Sequence, residues 1–201
     1  MHCARPIVGE GLICGRCLLE PSPFERVSAA TDYAFPWSLW ALALKSEQHI
    51  QLAQPMAELM MPAWQAQRPQ HPPRQWIWTA VPRHTDKLKD RGFNPALELA
   101  KACLRLVSPS SHQLISDLLQ RRHWEVDQHT LPHGRREHAV RGAFALGART
   151  RVDLGPNPAI VIVDDVMTTG ATLRACANAL RVTYDCPIQA LVFAKTPLAN
   201  G

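Results

Sequence analysis

Residues 159–172 read Ala-Ile-Val-Ile-Val-Asp-Asp-Val-Met-Thr-Thr-Gly-Ala-Thr. The apolar run 159–163 fits a strand of a parallel sheet, buried on both faces. Two adjacent carboxylates, Asp164 and Asp165, are expected to end it. A short Thr- and Gly-bearing loop follows. Leu173, Cys176, Ala177 and Leu180 then recur at helical spacing, so a helix begins near Ala171. Strand, acids, loop and helix in this order build an anion site at the carboxyl end of a strand.

The first N–H groups of a helix have no partner within it, and the aligned peptide dipoles leave partial positive charge there. A phosphate monoester suits that place. Thr168, Thr169 and Thr172 add hydroxyl donors, and Ala171 opens the helix whose amides face the anion. Gly170 allows a tight turn and close backbone approach. Asp164 and Asp165 would repel a phosphate, but they can accept hydrogen bonds from sugar hydroxyls. Acids beside a phosphate cup therefore suggest a ribose 5-phosphate. The plainer alternative is a βα turn whose Asp and Thr residues only cap the helix. It accounts for one acid and one Thr, not for two acids, three Thr and a Gly in register.

This stretch resembles the phosphoribosyl-pyrophosphate (PRPP) signature of type I phosphoribosyltransferases: a hydrophobic strand, two acids, a spacer, then Thr-Gly-x-Thr. The resemblance implies that Asp164 and Asp165 hold the ribose 2- and 3-hydroxyls and act as the catalytic pair. It also implies that residues Thr168 to Thr172 hold the 5-phosphate.

At 201 residues the chain has room for one α/β domain of ordinary size and an appendage. Its 46% apolar content is that of a globular protein. A net charge of +5 admits phosphate-bearing ligands or nucleic acid without selecting either. No apolar run is long enough to span a bilayer, and no basic-then-apolar segment opens the chain. The expectation is a cytoplasmic protein with no membrane partner. Cys103, Cys176 and Cys186 fall among core elements and read as reduced, buried thiols.

Cys3, Cys14 and Cys17 lie together, and Cys14-Gly-Arg-Cys17 is a Cys-x-x-Cys knuckle. A zinc ribbon needs two knuckles, because tetrahedral zinc takes four soft ligands. A knuckle partner for Cys3 would fall immediately before Met1, so either the true start lies upstream or this copy has lost a ligand. Residues 1–26 are read as a truncated zinc-ribbon-like module with zinc as its metal, or as a tail carrying three free thiols. Residues 27–201 form the second unit.

Between them and the signature, strands are expected at 27–34, 76–81, 114–119, 143–146 and, after it, 188–194. Residues 37–45 read as a short apolar helix ending in a cation. Pro55 suits a helix start, with Met56, Leu59, Met60 and Ala63 on one face. Asn94-Pro95 opens another helix, with Leu97, Ala100, Leu104 and Val107 as its buried stripe. Trp76 and Trp78 alternate on their strand and serve either as core or as a stacking surface. Residues 121–141 carry five arginines, Arg136 among them, and four of the nine histidines, with little apolar periodicity. A long polar insertion between strands is a functional lid or a solvated basic loop. Type I phosphoribosyltransferases carry a mobile hood at this place.

Taken together, the chain resembles the ComF/GntX family of competence-associated, phosphoribosyltransferase-like proteins. The resemblance rests on the cysteine knuckles, on Leu44-Lys45 after an apolar helix, and on Ala80-Val81-Pro82-Arg83-His84 leading into Lys89-Asp90-Arg91-Gly92-Phe93-Asn94. Gln128, Arg136 and Val140-Arg141-Gly142-Ala143-Phe144 complete it. Ala139 stands where the family usually has Asn. The implied fold is α/β, a mainly parallel twisted sheet flanked by helices, with the cysteine module at its amino end. The implied reaction displaces pyrophosphate from C1 of PRPP by a nitrogen nucleophile, with Mg²⁺ on the diphosphate. Arg83 and Arg91, then Lys87, are the candidate pyrophosphate contacts, since a guanidinium can bind two phosphate oxygens at once. No element identifies the acceptor. Two other functions are weighed beside transfer: a non-catalytic PRPP or nucleotide sensor, and a single-stranded DNA binding partner of the competence machinery. Arg121-Arg122-His123-Trp124 offers one basic-aromatic cluster for the latter.

Overall fold

The computed structural model describes residues 22–66, 72–83, 92–122, 142–147 and 152–197. Seven strands are found there: β1 Arg26–Asp32, β2 Gln75–Ala80, β3 His112–Leu114, β4 Leu119–Arg121, β5 Phe144–Leu146, β6 Pro158–Met167 and β7 Ile188–Lys195. The helices are α1 Trp37–Ala43, α2 Ala53–Gln65, α3 Pro95–Leu104 and α4 Ala171–Arg181, with a 3₁₀ segment Glu47–Leu52 running into α2. Five strands form one sheet in the order β1-β7-β6-β2-β3, every neighbouring pair parallel. The expected α/β class and parallel sheet are present.

The order dictates where a crevice opens. From the sheet centre, β6 leads through α4 to β7 in one direction, while β2 leads through α3 to β3 in the other. Crossovers of one hand that run in opposite directions must place their helices on opposite faces. They do. α4 supplies Leu173, Cys176, Ala177 and Leu180 to an apolar layer that includes Ile77, Ile160, Ile162 and Val192. α2 and α3 supply Met56, Met60, Trp64, Leu99 and Ala100 to a second layer with Trp76, Trp78, Val161, Val163 and Phe193. Alternate residues of β6 enter alternate layers, as a two-residue period requires. Trp76 and Trp78 are core, not a stacking surface.

Several expected boundaries shift. The segment 114–119 is not one strand: Ser116 and Asp117 suit a turn, Leu118 N–H donates to Ile115 O at 3.3 Å, and β3 and β4 join different sheets. β4 pairs antiparallel with β5 in a separate ladder. The α2 stripe excludes Leu59, which is 38% exposed, and instead buries Ala57, Met61 and Trp64. In α3 the innermost side chains are Ala96, Leu99, Ala100 and Cys103, with Leu97, Leu104 and Val107 only partly buried. The small side chains face inward because α3 packs closely against α2 and the sheet.

No helix among the described residues is long and apolar enough to cross a membrane. Cys103, Cys176 and Cys186 are free and buried. Cys3, Cys14 and Cys17, Lys87 and Arg91, Arg136, Ala139 and nearly all of the 121–141 insertion lie outside the described residues.

Candidate functional site

β2 and β6 part at the switch point. Their last ladder contact pairs Ala80 with Val163, and Val81 N–H still donates to Val163 O at 2.9 Å. Beyond it β2 leaves the sheet, whereas β6 continues beside β7 to Met167, paired with Lys195. The acids therefore do not end the strand. Asp164 and Asp165 sit on its free tip, with the crevice of the switch point on the β2 side. Open parallel sheets bind ligands in this place.

The two carboxyl groups lie within hydrogen-bond reach of one another. The Asp164 charge lies close enough to α4 to add to the burial that raises the Cys176 thiol. Asp165 Oδ2 pairs with Lys45 Nζ at 3.5 Å, just past α1. Asp164 Oδ1 accepts the Asp165 N–H at 2.9 Å, and Asp165 Oδ1 accepts the Val166 N–H at 2.9 Å, so local backbone bonds fix both. Burial raises the Asp164 carboxyl well above the ordinary aspartate range, the adjacent Asp165 carboxyl raises it further, and Lys45 only partly offsets them.

The Thr-Gly turn follows Met167, which packs against the α4 layer. Gly170 caps α4 in the left-handed region with φ 77° and ψ 8°. Thr168 and Thr169 are exposed, and Ala171 and Thr172 are half-buried. Thr169 Oγ1 accepts the Ala171 N–H at 3.3 Å, so one early helix amide is already engaged. Arg174 N–H donates to Gly170 O at 2.9 Å, and its Nη2 donates to Thr169 O at 3.2 Å. Arg83 follows β2 on the opposite wall and is half-buried.

The structure brings Asp164, Asp165, Thr168, Thr169, Gly170, Ala171 and Thr172 to one sheet end. Three residues at that end had no role assigned to them at the site. Lys45 was visible as the cation ending an apolar helix. Arg174 could have been noticed as a cation in a helix first turn, where the dipole disfavours it. The reach of Asn94 to the end of β2 had no sequence signal. Among the described residues no group of three or more His, Cys, Asp or Glu gathers to hold a metal. Asp164 and Asp165 supply at most two carboxylates. That fits Mg²⁺, which takes one or two carboxylates and completes its shell with substrate phosphates and water.

These features define a parallel α/β protein with a carboxylate pair and a glycine-capped Thr turn at its switch point. The chain is 29% identical over 200 residues to the DNA utilization protein YhgH of Salmonella typhi, a match spanning 97% of this chain and 83% of that protein. It is also 29% identical over 199 residues to the protein of the same name from Escherichia coli K12, with the same coverage of each. No family model matches the chain.

Proposed function

We propose that the crevice binds PRPP and that the protein is a ComF-like phosphoribosyltransferase acting in DNA utilisation. The observation that carries this reading is that β6 brings the acid pair and the Gly170 turn to the sheet end where β2 departs, at the switch point. A diol acceptor and an anion-binding turn on the same strand match the two poles of a ribose 5-phosphate. The names of the YhgH relatives support the link to DNA utilisation.

In the transfer, the C1–O bond to pyrophosphate breaks with its electron pair leaving on the diphosphate. A nitrogen lone pair of the acceptor forms the new C1–N bond and then releases its proton. Asp164 and Asp165 would hold the ribose hydroxyls, and Thr168 to Thr172 the 5-phosphate. Arg83, with Lys87, Arg91 and the hood residue Arg136, would meet the diphosphate charge that grows in the transition state. Mg²⁺ held by the acid pair would neutralise the leaving diphosphate. Zinc on Cys3, Cys14 and Cys17 belongs to the same proposal as a structural metal.

Thermal unfolding with PRPP and Mg²⁺ tests the reading. At a hundredfold excess over Kd a ligand stabilises by about 2.7 kcal/mol. For a chain of this size that raises Tm by about 5–10 °C. The shift is lost in the Asp164→Asn, Asp165→Asn double variant. No shift at millimolar PRPP refutes the proposal. Pyrophosphate release with a panel of nitrogen bases then separates a transferase from a sensor. Oligonucleotide binding that falls steeply with salt, without a PRPP shift, would instead favour a single-stranded DNA partner.

A further inference from the structure

The acid pair does not stand alone at the β6 tip. Its carboxyl groups lie within hydrogen-bond reach of each other, and one cation acts on both. Lys45 Nζ lies 3.5 Å from Asp165 Oδ2, and its charge also favours the ionised form of Asp164. The three groups therefore share charge as one unit. Lys45 comes from a separate element. It follows α1, which Trp37 packs against β7 by an edge-on contact with Phe193 at 6.2 Å. Leu44 beside it is fully buried, its N–H donates to Trp40 O at 2.9 Å, and the Lys45 N–H donates to Leu42 O at 3.1 Å. The backbone at Lys45 is thus anchored, while the side chain, a flexible four-carbon stem, stays 27% exposed.

We propose that Lys45 is the resident cation of the acid pair, and that it gives up this place when a metal diphosphate enters and passes to the diphosphate itself. This deepens the phosphoribosyl reading of the crevice and rests on it. An ammonium and a divalent cation repel each other across one carboxylate pair. Bare Mg²⁺ must expel Lys45 and offers it no partner in exchange. A metal that carries a diphosphate brings anionic oxygens, and lysine binds phosphate as a compact point charge. At 3.5 Å the Lys45–Asp165 contact is long for a charge-assisted hydrogen bond, so the ammonium leaves it at little cost. Lys45 thereby selects the form in which the ligand enters. It makes the acid pair a poor site for metal alone and a good one for the magnesium complex of a sugar diphosphate.

Two titrations of the full-length chain in mildly alkaline buffer test this. Manganese alone, a paramagnetic stand-in for Mg²⁺ with the same preference for oxygen ligands, is followed by electron paramagnetic resonance. Lys45→Met should bind it about tenfold more tightly than wild type, and adding Asp165→Asn should remove the gain. PRPP in Mg²⁺ is followed by calorimetry, and there Lys45→Met should bind about tenfold more weakly. The two effects have opposite signs, which a lesion of the fold would not produce, and Lys45→Arg should restore both. Unchanged or weaker manganese binding by Lys45→Met overturns the proposal, as does the absence of manganese binding in both chains. Unchanged or tighter PRPP binding by Lys45→Met overturns it too. If the wild-type chain binds no PRPP, the phosphoribosyl reading fails. Inorganic pyrophosphate in Mg²⁺ then takes its place in the second titration, and the same pair of signs decides the part played by Lys45.

Discussion

Asn94 ties the start of α3 to the end of β2: its Nδ2 donates to Val81 O at 3.0 Å while its Oδ1 accepts the Ala96 N–H at 3.1 Å. One side chain both caps the helix and ties its start to the end of β2. Asn94→Ala removes both bonds. The cap alone contributes about 1 kcal/mol, and the partly buried Val81 carbonyl loses its donor for about another. Asn94→Asp keeps the acceptor and loses the donor. Urea unfolding should therefore rank wild type above Asp, and Asp above Ala, with the Ala variant down by about 2 kcal/mol. Equal stabilities of Ala and Asp would show that the cap is idle.

Inside the α2/α3 layer, Trp78 Nε1–H donates to His112 Nδ1 at 3.0 Å, joining β2 to the edge strand β3. Trp76 stacks parallel to the His112 ring with centroids 6.2 Å apart, and Trp64 meets Trp76 edge-on at 4.9 Å. Trp78→Phe keeps most of the apolar surface but takes this donor from a buried imidazole. The expected loss is about 1–3 kcal/mol. Trp78→Phe combined with His112→Leu should recover part of it, because the acceptor leaves with the donor. A double variant less stable than Trp78→Phe alone would contradict that account.

Asp164 ionises at a higher pH in the folded chain than in the unfolded one. The native state therefore binds its proton more tightly, and the stability this gives is complete below the unfolded value, ordinarily 3.8. It is lost as pH rises through the folded value. Above the unfolded value the unfavourable ionisation of Asp164 therefore costs stability, as it often does for functional acids. Asp164→Asn keeps an oxygen for the Asp165 N–H and removes the charge. It should raise Tm at pH 7 and lose that advantage on acidification below about 4. PRPP binding should vanish in the same variant. A variant less stable than wild type at pH 7 would mean that local bonds outweigh the buried charge.

Much of this arrangement was legible because the decisive stretch obeys local rules. Five apolar residues in a row can only be a strand buried on both faces or a buried helix, and the Gly170 punctuation with Leu173, Cys176 and Leu180 beyond it settles which. Asn94-Pro95 likewise announced α3, and Gly170 the turn. The end of β6 was misjudged because Asp164 and Asp165 are poor strand formers by propensity. Pairing with β7 carries the strand through them to Met167, a tertiary effect no window of sequence contains. Lys45 and Asp165 are 120 positions apart, and their meeting depends on where β1 lies relative to β6. The inward face of α3 was misread for a related reason. Leu97 and Leu104 satisfy the helical period, but the face that packs on α2 and the sheet carries Ala96, Leu99, Ala100 and Cys103.

The buried thiols give a chemical check on the core. Burial pushes the Cys103 thiol up to about 12 and raises those of Cys176 and Cys186 as well. At pH 8 the Cys103 thiolate is then about one part in ten thousand, and the thiolate is the reactive form. Iodoacetamide labelling read by peptide mapping should leave these three cysteines unmodified in the native chain and modify them in urea. Rapid native labelling of Cys176 would show that α4 opens from the sheet.

Gly170 provides the last test, because its backbone and its surroundings make separate demands. With φ at 77° it occupies a region that costs an L-residue about 1–2 kcal/mol. A Cβ there would meet Met167 Sδ at 3.5 Å, an ordinary contact, so crowding adds little. Gly170→Ala should therefore lose about 1–2 kcal/mol, seen as a Tm lower by about 2–8 °C. Gly170→Asn, which tolerates the left-handed region better, should lose less. Both keep the carbonyl that accepts the Arg174 N–H at 2.9 Å. If the turn also binds the ribose 5-phosphate, Ala should weaken PRPP more than Asn does, following the backbone strain. The opposite order, with Asn binding worse than Ala at higher stability, would place the phosphate against the glycine's open face, where side-chain bulk and not φ decides.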